Sequence, residues 1–124
     1  MTRLYLVLSL ISSLLSEYNP VVRVIEHYIM NEGEVEYLNI NITIPRINMV
    51  VVIREYWKER NLVAYGYYLR VHDYEEWWDN RPHHPEIQTH PHHRHLGGEV
   101  YPLQDPSLEK FLNTVRQHLH KYST

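Results

Sequence analysis

Residues 4–15 (LYLVLSLISSLL) are apolar on nearly every face, interrupted only by Ser9, Ser12 and Ser13. This predicts a helix over 2–16 that must be covered on most sides, so part of it is a candidate surface for a homodimer. The run is shorter than the roughly 20 apolar residues that cross a bilayer, so no membrane span is expected. With Arg3 in front it also has the outline of a signal peptide, but no clear small-x-small cleavage site follows, and a cytoplasmic protein is expected. Asn19-Pro20 ends the helix, because proline disfavours helical geometry in the residue before it.

From 21 to 78 the pattern shifts toward period two, predicting an antiparallel meander. Leu38 to Ile44 alternates strictly between apolar and polar, which means one buried and one wet face. Val35 and Tyr37 have the opposite parity, which predicts a β-bulge near Tyr37-Leu38. Met49–Ile53 is a continuous apolar run suited to a central strand. Asn31-Glu32-Gly33, Pro45-Arg46-Ile47-Asn48 and Glu59-Arg60-Asn61 are turn signals. Val63, Tyr65, Tyr67, Leu69 and Val71 form one face, and Tyr68, Arg70, His72 and Tyr74 the other. A second helix is expected over 105–121, with Asp105 as N-cap and Pro106 in its first turn. Its stripe of Leu108, Phe111, Leu112, Val115 and Leu119 should lie against the sheet. His118 and His120 suit its C-terminal end electrostatically and are set aside.

The expected fold class is α+β: one domain over 1–124, with a four- to five-stranded antiparallel sheet, a helix from each end packed on it, and a His/Pro-rich loop over 79–98. At 124 residues, 44% apolar and 22% charged, the chain suits one globular core. The lack of cysteine excludes disulfides, cysteine-ligated zinc or iron–sulfur centres and thiol catalysis. A net charge of −3 excludes a broadly basic nucleic-acid binder and leaves room for a local basic patch.

The chemistry concentrates in one segment. Six of the ten histidines fall between positions 83 and 95. Pro82, Pro85 and Pro91 stiffen the backbone around them. Three readings of this segment compete. Neutral imidazole ligates zinc and similar transition metals, with His83, His93 and His95 as candidate ligands beside Asp79. Alternatively, histidine suits both proton transfers of RNA cleavage through the 2′-hydroxyl, because its ordinary pKa of about 6.5 lies near working pH. Arg81, Arg94 and Arg70 would then hold phosphate, and tyrosine or tryptophan faces would stack bases. Third, the imidazoles can be spent singly on backbone carbonyls while the prolines shape a long connection, and Asp79-Asn80 can simply form a turn.

Asp79-Asn80-Arg81-Pro82-His83-His84-Pro85, followed by Thr89-His90-Pro91-His92-His93-Arg94-His95, resembles the signature of the TumE-like toxins of prokaryotic toxin–antitoxin systems. His90 stands where that pattern has an aromatic residue and Arg94 where it has lysine. The tyrosine-rich stretch Tyr65–Tyr68 and the segment Glu99–Leu108 are similar too. The resemblance implies a small toxin restrained by a cognate antitoxin. The resemblance brings no reaction with it; the residues themselves make the leading expectation a toxin acting on RNA, with no cofactor predicted and zinc or another transition metal as the alternative. His83, His84, His92, His93 and His95 would move protons, Asp79 would orient one of them, and Arg81, Arg94, Arg70 and Asn80 would bind substrate. The alternatives are a non-catalytic interaction protein using the N-terminal helix or a strand edge, and a metal-dependent hydrolase using the histidines as ligands.

Overall fold

A computed structural model describes residues 2–122. Helix α1 (Arg3–Leu15) ends in a short 3-10 turn, and Asn19 then takes left-handed geometry (φ 53°) directly before Pro20. Seven strands follow: β1 (Val21–Met30), β2 (Val35–Ile44), β3 (Met49–Lys58), β4 (Asn61–Val71), β5 (Tyr74–Asp79), β6 (His93–Leu96) and β7 (Glu99–Pro102). They pair in chain order as one antiparallel sheet. Helix α2 (Leu108–Tyr122) closes the described chain. The α+β class stands, and the strand count is corrected from four or five to seven.

The two extra strands lie where a loop was expected. Gly97 and Gly98, at φ 58° and 83°, make a two-residue turn of the kind that matches strand twist, and so join β6 to β7. Two further corrections are local. The β-bulge falls in β1, between Val24 and Glu26, and not in β2, whose pairing with β3 is regular. Helix α2 begins at Leu108, where the Ser107 hydroxyl accepts from the Lys110 amide at 3.1 Å. Asp105 sits at φ 43°, outside the extended geometry of an N-cap.

Both helices cover the same face of the sheet. Val7, Ile11 and Leu15 of α1 join Leu108, Phe111, Leu112, Val115 and Leu119 of α2 over Leu38, Ile40, Ile42, Val51, Ile53, Tyr67 and Leu69. On α1 Tyr5 and Leu6 stay exposed among its large apolar side chains, and Leu4, Leu8, Leu10 and Leu14 are partly buried. Val63, expected inside, is exposed because the β3–β4 register slips beside it. No described helix is long and apolar enough to cross a membrane.

The buried carboxylates of this layer, Glu55 and Glu76, are paired. The Glu55 carboxylate accepts from Arg3 Nε at 2.8 Å and Nη2 at 3.1 Å, from Trp57 Nε1 at 2.8 Å and from the Tyr67 hydroxyl at 2.5 Å. Removing the carboxylate strands a half-buried guanidinium, so Glu55→Ala is expected to cost about 3 kcal/mol, read from a lower urea midpoint at unchanged slope. His118 packs on Tyr74 with ring centroids 4.3 Å apart, and its buried Nδ1 has no partner among the described residues. Burial lowers its basicity, Lys121 adds to this, and Glu76 opposes it. The unfolded chain therefore binds the extra proton more readily, and stability should fall as pH drops below about 6.5. His118→Phe should flatten that acid limb in thermal melts recorded from pH 5 to 8.

Candidate active site

Side chains alternate across a strand, and the register of β4, β5 and β6 decides which of them meet. On the face away from the helices, Gly66 pairs with Asp79 and Asp79 with His93. One step along, Tyr68 pairs with Trp77 and Trp77 with His95. The carboxylate and two imidazoles are thus brought together by sheet hydrogen bonding, with β6 in place of the expected loop.

Asp79 is the hub and is only 8% exposed. Its Oδ1 accepts from the Arg81 amide at 2.9 Å and lies 3.1 Å from His93 Nε2, while Oδ2 lies 3.7 Å from His95 Nε2. His93, 2% exposed, has its Nδ1 2.9 Å from the Pro91 carbonyl. His95 leans on Trp77 with centroids 4.4 Å apart. Burial and then the neighbouring His93 lower its basicity; Asp79 opposes this. The connection over 80–92 folds back through successive backbone turns and is pinned by Thr89, whose hydroxyl donates to His92 O and accepts from the Leu103 amide. It lays His84 over the strand pair, with its ring 4.8 Å from His93 and 5.5 Å from His95. One ring nitrogen from each of His84, His93 and His95 lies within 4.8 Å of the others, so these three could hold a metal.

The other expected residues go elsewhere. His83 is exposed and lies outside this group, so His84 replaces it in the candidate ligand set. The Tyr65 hydroxyl lies 2.9 Å from His92 Nδ1 and the two rings stack, on the side facing the helices. Burial, then His93, lowers the basicity of His92, and burial, then the charge of Asp79, raises the Tyr65 pKa. Asn80 spends its amide on β4, accepting from Tyr65 N at 3.1 Å and donating to Val63 O at 3.0 Å. Arg94 points to the helix side, 3.3 Å from buried Glu76 and over the Tyr101 ring. Arg70 lies on the outer face beside Glu75, four residues along β4 from Gly66, about 13 Å away. Of the expected cations, Arg81 alone borders the site.

That border is an open cleft of about 580 Å³, floored at Gly66 and lined by Tyr37, Arg54, Tyr56, Tyr68, Trp77, Asp79 and Arg81. Arg54, directly after the apolar run of β3, joins this lining without having been expected there. Its parity with Val52 and Tyr56 was the available signal.

The seven-stranded sheet with an imidazole–carboxylate group at the end of an aromatic cleft defines a small α+β protein built around one site. A family model described as Toxin TumE matches residues 12–119. The chain belongs to this toxin family, as a toxin of a toxin–antitoxin system, and that membership implies a cognate antitoxin partner. No curated protein and no solved structure matches the chain.

Asp79→Ala should release the turn that starts the connection. Losing a carboxylate acceptor costs roughly 1.5–3 kcal/mol, so hydrogen exchange at the Arg81 amide should quicken at least tenfold. Exchange in the β2–β3 ladder should not change.

Proposed function

We propose that this toxin cleaves RNA by transferring protons between imidazoles. What supports the reading is the meeting of His84 and His95 around Asp79 at the end of an open cleft. One of these two rings takes the proton of a 2′-hydroxyl, and the freed oxygen attacks the adjacent phosphorus. The bond from phosphorus to the 5′-oxygen breaks, and the other ring, protonated beforehand, gives that oxygen its proton. The products are a 2′,3′-cyclic phosphate and a 5′-hydroxyl. His93, held between Pro91 and Asp79, is a positioning residue for this pair. Arg81, at the cleft border, is placed for phosphate.

Arg94, Arg70, Asn80, His83 and His92 have no part in this scheme, since each is turned away, exposed elsewhere or committed to other partners. The acidic net charge is compatible with it, because the cations that matter are local.

A second reading follows from the same three nitrogens. Three histidines within 4.8 Å of one another match the ligand number of a hydrolytic zinc site that keeps a fourth position for water. One assay separates the two. Nuclease-free protein dialysed against EDTA should degrade single-stranded RNA, and His84→Ala and His95→Ala should each lose at least a hundredfold in rate. Activity that vanishes in EDTA and returns with one metal transfers the histidines to the ligand role. RNA left intact under both conditions rejects cleavage altogether.

A further inference from the structure

We infer that the gap over Gly66 is the seat of an unpaired base of an RNA strand. The inference deepens the cleavage reading, on which it rests only for the identity of the polymer. The outer-face row that ends at the imidazoles runs Arg54, Gly66, Asp79, His93 across four adjacent strands. In that row Gly66 leaves a hole. A methyl group placed on it would meet nothing within 4 Å, and its φ is not positive, so backbone conformation does not require glycine here. An interior strand loses stability at glycine, which leaves the space itself as the reason for the residue.

Flat side chains flank the hole along the strands. Tyr56 and Tyr37 lie on one side; Tyr68 and Trp77, with centroids 6.2 Å apart, lie on the other. Arg54 and Arg81 border it, both exposed and neither in an ion pair among the described residues. A gap flanked by aromatic side chains with free guanidinium groups at its rim suits a planar aromatic ring carrying an anion, which is the chemistry of a nucleotide. Its volume, about 580 Å³, lies within the usual range of small-molecule pockets. The base must be unpaired, since a stacked duplex offers no free ring face. Asp79 adjoins Gly66 at one strand spacing, about 4.8 Å, so a strand seated there leads directly to the imidazoles.

The test uses a labelled 2′-O-methyl RNA oligomer, which lacks the attacking hydroxyl, so binding is measured whether or not the protein cleaves. Fluorescence anisotropy should show the single strand binding at least tenfold tighter than its duplex or a free mononucleotide. Gly66→Ile should lower that affinity at least tenfold while its melting temperature stays equal or rises. Arg54→Ala should weaken binding to every sequence and reduce the salt slope by about one. The inference fails if the oligomer does not bind, if Gly66→Ile binds it like the parent, or if duplex or mononucleotide competes equally. Binding that depends on Gly66 in a protein that cuts no RNA would uphold the seat and overturn the cleavage reading; cleavage unaffected by Gly66→Ile would do the reverse.

Discussion

One row of paired backbone holds the site together. Gly66, Asp79 and His93 lie side by side because β4, β5 and β6 are hydrogen-bonded in that register. A slip of one residue in β6 would turn His93 and His95 to the helix side and bring Arg94 out. The cluster therefore rests on the sheet, and it needs only one contributor from outside the strands, His84, from the connection that crosses above it. Functional groups placed on strands hold their geometry better than groups on loops, and proton transfer between imidazoles depends on such geometry.

The two faces of the sheet divide the work. Toward the helices, charged groups are present but spent: Glu55 on Arg3, Trp57 and Tyr67, and Glu76 on Tyr74, Trp78 and Arg94. On the opposite face, Arg54 and Arg81 are exposed and unpaired among the described residues, beside open aromatic rings. The first arrangement stabilises a core, and the second leaves binding capacity for something from outside. The abundance of tyrosine fits both uses, since one ring packs apolar surface while its hydroxyl caps a buried carboxylate, as Tyr67 and Tyr74 do.

The segment rich in histidine and proline shows why residue counts mislead about sites. Six imidazoles sit within thirteen positions, but only His84, His93 and His95 converge. His92 is taken up by Tyr65 and His90 Nδ1 lies 3.2 Å from the His84 carbonyl. Clustering along the chain marks the segment, but which of its rings meet depends on strand parity, and a loop has no parity to read.

Several features were legible in the sequence alone because short-range patterns carry them. The two helices, the turn residues of the first strands and the alternation of Leu38–Ile44 and Tyr65–Val71 each follow from period and local backbone preference. The concentration of histidine and proline over 82–95 was equally plain. The tertiary structure decided the rest. It placed β6 and β7, turned Arg94 to the helix face, grouped His84 rather than His83 with His93 and His95, and left the gap at Gly66 beside Arg54. All of these are relations between strands distant in sequence, set by which residue pairs with which, and no local pattern contains that information.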